Sequence, residues 1–183
     1  MSSTIVAVGV LGIAGIAAVI WSIDVSNRFK TLLVKIAEAD SGIDVALTKR
    51  YDTLTKLLDV VRAYAKHEME TLGKLVEMRS GLGITEKAEL SSQYDALRQR
   101  LQVIAEAYPE LKSSENYQQL QNAIVDAEDH LQAARRVYNM NVSSFNQAIV
   151  VFPDSIIANR ANHKSKEFFA AEASKRADVM IKL

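Results

Sequence analysis

IDVALTKRYDTLTKLLDVVRAYAKHEMETLGKL, residues Ile43 to Leu75, decides the fold. It contains no Pro, and its one Gly, Gly73, stands near the end. Apolar residues recur at Ile43, Leu47, Leu54, Leu57, Val61, Tyr64 and Leu75, at gaps of three and four or their multiples. That spacing is a helix period. Two positions on the same seam are charged, Arg50 and Glu68. A charge on an apolar seam needs a charged partner or marks a site, because burying it alone is costly.

Composition agrees with a helical chain. The 183 residues suffice for one ordinary domain and an additional segment. Pro occurs twice and Gly seven times, so the body of the chain lacks the turn residues that a β-fold needs. Lys plus Arg equals Asp plus Glu at 22 each, and a nucleic-acid partner is not expected without a basic excess. Cys is absent, which excludes disulfides, zinc fingers and thiol nucleophiles.

Toward the N-terminus, Ile5 to Ile23 (IVAVGVLGIAGIAAVIWSI) carries no charge. At ~1.5 Å per residue it is about 28 Å long, close to the ~30 Å hydrocarbon core of a bilayer. Trp21 stands at its edge, where indole favours the interface. Met-Ser-Ser-Thr supplies no basic n-region and Trp-Ser-Ile-Asp is a poor cleavage site, so the span reads as an uncleaved anchor rather than a signal peptide. Arg28, Lys30 and Lys35 follow the span and no basic residue precedes it. The positive-inside rule then puts the C-terminal part in the cytoplasm and the N-terminus outside, single-pass. Gly9, Gly12 and Gly15, with Ala14 and Ala18, offer small faces for close packing in lipid. Self-association through them and mere membrane-span composition are both open readings.

Toward the C-terminus, the first soluble helix is expected from about Asn27 to about Arg79, ending at Ser80-Gly81-Leu82-Gly83. Thr85 is the expected N-cap of the second helix, whose seam is Leu90, Tyr94, Leu97, Leu101, Ile104 and Tyr108. Pro109 ends it. A Ser caps the third helix, where Tyr117, Ile124, Leu131, Tyr138, Phe145 and Phe152 lie seven apart, with Leu120, Ala127, Ala134, Asn141 and Ala148 on the second seam. A strict seven-residue repeat implies near-parallel, coiled-coil-like packing. Asp154 to Asn159 reads as a short helical turn, and Asn162 to Lys182, carrying Phe168 and Phe169, as a peripheral last helix. The short connections Gly81–Ile84 and Pro109–Ser113 predict antiparallel neighbours. The expected fold is all-α: an elongated antiparallel bundle of about four soluble helices with an N-terminal transmembrane helix. Its parts are an anchor (residues 1–23), a juxtamembrane stalk (24–42), a bundle core (43–152) and a C-terminal helix (153–183).

Chemistry-bearing patterns are scarce. Each site of a di-iron bundle needs Glu-x-x-His, and the residues three before His67, His130 and His163 are Tyr64, Ala127 and Arg160. His67-Glu68-Met69-Glu70-Thr71 begins like a zincin motif but lacks the second His. No phosphate loop or nucleophile elbow is present. Neither a cofactor, a metal nor an enzymatic activity is expected, and the aromatics read as core. The charged seam residues remain. Glu128 and Arg135, seven apart on the third helix, are the expected partners of Arg50 and Glu68 in a register-setting ion network, a reading preferred to a ligand site.

Several blocks together resemble the LemA family of membrane-anchored bacterial helical proteins. They are Asp44-Val45-x-Leu47-x-Lys49-Arg50-Tyr51-Asp52, Tyr64-Ala65-x-His67-Glu68-x-x-Thr71-Leu72 and Glu106-Ala107-Tyr108-Pro109-Glu110-Leu111-Lys112. Ala134-Arg135-Arg136-x-Tyr138-Asn139, Phe145-Asn146 and Phe152-Pro153 follow in order. Thr55-Lys56 stands where the family usually has Pro-Asn, and Asp129-His130 where it has Asn-Arg, so the first helix is expected to be straighter here. The resemblance implies a single N-terminal span, a mostly helical cytoplasmic domain and no established enzymatic activity. It also implies an accessory or scaffold role at the membrane. Some members are linked with quality-control metalloproteases and one relative with magnetosome membrane formation. The expected partners are a second copy of the chain, membrane lipid and a membrane protein.

Overall fold

The computed structural model describes residues 2–66 and 81–170, with side chains from residue 8 onward. Among them are five helices and no strand: α1 (Ser2–Tyr64), α2 (Ile84–Ala107), α3 (Pro109–Ser113), α4 (Glu115–Val150) and α5 (Asp154–Arg160). The protein is all-α. It divides into two compact units, each built from two separated pieces of chain. One holds Met1–Glu38 and Met140–Glu167, the other Ala39–Asn139 and Phe168–Leu183.

Helix α1 runs without interruption through Asp24–Lys30, Gly42 and Thr55-Lys56. One isolated Gly costs a helix only ~1 kcal/mol, and the Thr55 hydroxyl bonds back to the Tyr51 carbonyl at 2.9 Å instead of breaking the ladder. The helix ends at Tyr64, well short of the expected Arg79, with Tyr64 itself exposed. No Gly or Pro marks this end.

In the first unit α1 packs against the C-terminal part of α4. Phe29 is fully buried, edge-on to Phe145 with ring centroids 6.4 Å apart, and the His163 ring lies 5.2 Å from Phe29 and 5.8 Å from Phe145. Further along, the Asn141 amide donates to the Lys35 carbonyl at 3.1 Å, and Arg28 pairs with Asp154 at 2.8 Å. Numbers rise on α1 as they fall on α4, so the two run antiparallel. Before this contact the N-terminal part of α1 is bare. Apolar residues from Val8 to Ile20, and Ile23, stay exposed, Leu11 at 72%, while Trp21 is half-buried. This stretch is long and apolar enough to cross a membrane, and its exposure separates it from the buried core helix of a soluble protein.

In the second unit the seam of α1 is buried at Ile43, Leu47, Leu54, Leu57 and Val61, and that of α2 at Leu90, Tyr94 and Leu101. Tyr117, Ile124, Leu131 and Tyr138 of α4 are buried as the seven-residue repeat predicts. The repeat stops short of Phe152, which lies past the end of α4 and is exposed.

Helix directions differ from the expectation in one place. Lys87 of α2 meets Asp40 and Asp44 of α1, Arg50 meets Ser91 and Asp95, and the Tyr51 and Tyr94 rings sit 6.4 Å apart. Both sets of numbers rise together, so α1 and α2 run parallel. The Gly81–Ile84 turn predicted antiparallel neighbours on the premise that the first helix reaches Arg79. With α1 ending at Tyr64, the segment that leads into this turn, residues 67–80, lies outside the described residues, and the parallel course concerns α1 and α2 alone. Helix α4 does run antiparallel to α1: Arg50 faces Glu128, while Lys56 and Val60 border a groove with Gln119 and Ala123.

Capping explains the remaining boundaries. Gly83, not Thr85, is the N-cap of α2, and its N–H donates to the Glu86 carboxylate at 2.7 Å. Pro109 opens the short α3 rather than merely ending α2, as suits a residue without an N–H to bond. Ser114 caps α4, its hydroxyl accepting from the Tyr117 N–H at 3.3 Å. After α5 the expected helix over Asn162–Lys182 does not form as far as Ala170. Asn162 adopts φ +53, the His163 N–H reaches back to the Ala158 carbonyl at 3.0 Å and the Asn162 N–H to Asn159 at 3.1 Å. Those are the two bonds of a Schellman motif, which ends α5.

Candidate functional site

The charged seam position on α1 is the centre of the second unit. Arg50 sits on the buried face because it occupies the heptad place between Leu47 and Leu54, and only 2% of it is exposed. Its guanidinium reaches two other helices. Nη1 donates to the Ser91 carbonyl and hydroxyl, both at 3.2 Å, and Nη2 donates to Asp95 and, at 3.3 Å, to Glu128. Arg98 of α2 completes the group, its Nη1 donating to both Glu128 oxygens at 2.8 and 2.9 Å. Three helices thus meet at one guanidinium. A guanidinium keeps its proton at any ordinary pH, so this cluster supplies fixed charge and geometry rather than proton transfer.

Arg50 and Glu128 are therefore brought together. Arg135 is not part of this cluster. Its guanidinium carbon lies 4.4 Å from the centre of the Phe169 ring, a cation–π contact. Glu68 and His67 lie outside the described residues. Asp95, Arg98 and Ser91 complete the cluster and were not anticipated. The Asp95 and Arg98 positions flank the Tyr94–Leu97 seam of α2, which is the signal that would have found them.

A second buried cation, also unanticipated, lies further back along the same helix pair. Lys87 is buried, and its Nζ lies 2.7 Å from Asp40 and 2.6 Å from Asp44, one turn apart on α1. Burial alone lowers the pKa of an ammonium, but hydrogen bonds and charge from the two carboxylates outweigh it, so the Lys87 pKa is raised. Lys87 extends the Leu90–Tyr94 seam by one place, three residues before Leu90.

Two asparagines of α4 hold extended chain. In the second unit Asn139 donates its side-chain amide to the Phe169 carbonyl at 3.1 Å and accepts the Phe169 N–H at 2.8 Å. In the first unit Asn146 does the same with Lys166, at 2.9 and 2.8 Å. An amide side chain matches the donor and acceptor of one peptide residue, so each supplies hydrogen bonds that a helix would otherwise have given. Phe169 is buried beside Gln132, Arg135, Arg136 and Asn139, which line a shallow groove with it.

The small residues of the apolar stretch stand open. A Cβ added at Gly9, Gly12 or Gly15 would meet nothing within 4 Å, and Ala14 and Ala18 are exposed. Among the described residues no group of three or more His, Cys, Asp and Glu is arranged to hold a metal ion.

The chain is similar to known proteins over most of its length. The family model described as "LemA family" matches residues 39–183, beginning where the second unit begins. Protein LemA of Metamycoplasma hominis is 35% identical over 150 residues, 79% of this chain and 68% of that protein. Magnetosome protein MamQ of Magnetospirillum gryphiswaldense is 31% identical over 70 residues, 38% of this chain. Magnetosome protein MamQ 1 of Paramagnetospirillum magneticum is 30% identical over 70 residues, and the chain spans 26% of the length of each of these two magnetosome proteins. With its match running over most of the chain, and with Arg50, Arg135 and Asn139 all in the blocks that carried the resemblance, the chain belongs to the LemA family.

Proposed function

We propose that this chain is a membrane-anchored, non-enzymatic accessory protein, a scaffold that self-assembles or docks membrane partners through its helical bundle. One observation carries the reading. The helix whose exposed apolar stretch fits a single-pass anchor is the helix whose later seam organises α2 and α4. The buried charges at Arg50 and Lys87 suit such a role, since they fix helix register without offering a proton to a reaction. In the single-pass orientation that Arg28, Lys30 and Lys35 favour, the bundle lies in the cytoplasm of a bacterial cell and the N-terminus outside its inner membrane. Relatives named for magnetosomes support a membrane setting.

The test is the full chain in its own membrane, crosslinked and imaged across expression levels. Discrete assemblies or a reproducible crosslinked membrane partner are expected. A strictly monomeric, partnerless protein at every level would overturn the scaffold reading.

A second reading, membrane-lipid binding or shaping, is favoured by exposed basic residues in the first unit: Lys30, Lys35, Lys164 and Lys166. Each basic residue near an anionic surface contributes about 1 kcal/mol. Liposome binding by a chain lacking the span, abolished by salt, would select this reading over the first.

A further inference from the structure

The turn that follows α4 carries a cluster of apolar residues that the fold does not use. Val150, Val151 and Phe152 are consecutive and exposed, Phe152 at 76%, and Ile156 joins them from α5. Past the apolar stretch of α1, Val34, Val45 and Val103 are exposed singly. Single exposed apolar residues are ordinary, whereas a contiguous patch marks a contact surface.

The position of this patch along α1 says what it contacts. All the relevant residues belong to the first unit. Phe145 faces Phe29, and Asp154 pairs with Arg28, so the turn between them lies level with about Asp24 to Arg28. The apolar stretch of α1 ends at Ile23; Trp21 and Ser22 near its end are half-buried, and Val25, just past it, is the first fully covered residue at 3% exposed. A bilayer of ~40–45 Å with a ~30 Å hydrocarbon core leaves about 5–7 Å of headgroup layer on each side. That is about three to five residues of helix at ~1.5 Å each. When Ile5–Ile23 fills the hydrocarbon, the level of Asp24–Arg28 is the headgroup layer. The acidic residue of the turn, Asp154, is neutralised there by Arg28 at 2.8 Å.

We propose that Val150, Val151, Phe152 and Ile156 form a second membrane contact, entering the headgroup layer of the leaflet from which α1 emerges. The occupant of the patch is lipid. The first unit then touches the bilayer at two points, the span and the turn, which fixes its tilt and rotation at the surface. Phe and Val at this depth bury apolar surface against the upper acyl chains, as interfacial amphipathic elements do.

This inference rests on the reading of α1 as an anchor, and the experiment separates the two. The chain contains no Cys, so single-cysteine variants take one nitroxide label each. Ile16→Cys, Val151→Cys, Phe152→Cys, Ile156→Cys and Met140→Cys are made in the full chain and reconstituted in phosphatidylcholine–phosphatidylglycerol vesicles. Collision rates with oxygen, which concentrates in lipid, and with a water-soluble nickel chelate then report depth. Met140 is 62% exposed in the same unit, and its neighbour Asn141 bonds to Lys35. That level is about 18 Å beyond Ile23 at ~1.5 Å per residue. The expected oxygen-to-nickel ratio is highest at residue 16, several-fold above the Met140 position at 151, 152 and 156, and lowest at 140. Ratios at 151, 152 and 156 equal to that at 140, with 16 deep in lipid, would overturn the second contact and leave the anchor standing. A water-like ratio at 16 would overturn the anchor and the contact with it.

Discussion

Arg50 and Lys87 are two buried cations on one helix pair, and they hold it in different ways. Arg50 spreads its donors over Ser91, Asp95 and Glu128 and so ties α1 to α2 and α4 together. Lys87 concentrates its charge on Asp40 and Asp44, both on α1, and so ties only two helices. A planar fork addresses several directions at once, while an ammonium acts as a point charge. The difference teaches which contact sets three-helix register and which only secures a pair.

The largest effect is expected at Arg50. Breaking a buried ion pair from one side costs ~3–5 kcal/mol. Arg50→Ala should lose about 3 kcal/mol, the lower end of that range, because Asp95 and Glu128 keep some water and Glu128 keeps Arg98. Thermal unfolding of the full chain in detergent measures it, and an unchanged midpoint would remove Arg50 from the role of register holder. Arg50→Lys sharpens the comparison: it keeps the charge but not the fork, and should lose about 1.5 kcal/mol. A lysine as good as the arginine would show that charge alone matters.

Lys87→Met should cost less, about 2 kcal/mol, because the two aspartates left behind are half-exposed and can hydrate. The pH dependence gives it a signature. The Lys87 pKa is raised in the folded chain above its ordinary 10.5, so its contribution is complete below pH 10.5 and is lost as pH rises through the folded value. Tyr117, whose pKa burial raises above 10.0, acts in the same direction. Stability should therefore fall on the alkaline side above about pH 10, and more shallowly in Lys87→Met than in the parent. Equal slopes would dissociate Lys87 from the alkaline limb. The smallest single contribution is expected from the Arg135–Phe169 ring contact, whose share of the loss in Arg135→Ala should be about 1 kcal/mol. A loss as large as that at Arg50 would place Arg135 in the load of the bundle core after all.

What could be read from residues alone follows from how local the cause is. The seven-residue repeat of α4 showed its buried face from Tyr117 to Phe145, since periodicity acts within one helix. Arg50 stood out because it is a charge on an apolar seam. Lys87 did not, because a lysine in the first turn after Glu86 reads as solvated until its carboxylate partners on another helix are known. The parallel course of α1 and α2 was likewise hidden, since it depends on where α1 ends and no breaker announces Tyr64. Residues after Asn162 read as helix by composition, but Asn162 turned left-handed and Asn139 and Asn146 took over the hydrogen bonds of Phe169 and Lys166. Such bonds join residues distant in sequence and leave no local mark.

The asparagine contacts have a consequence for how this chain tolerates change. Asn146 reads only the main chain of Lys166, and Asn139 bonds only the main chain of Phe169. Side chains around Lys166 are thereby released from the duty of holding the path. Substitutions there should accumulate freely through evolution while the route of the backbone stays the same, whereas a change at either asparagine removes two bonds at once.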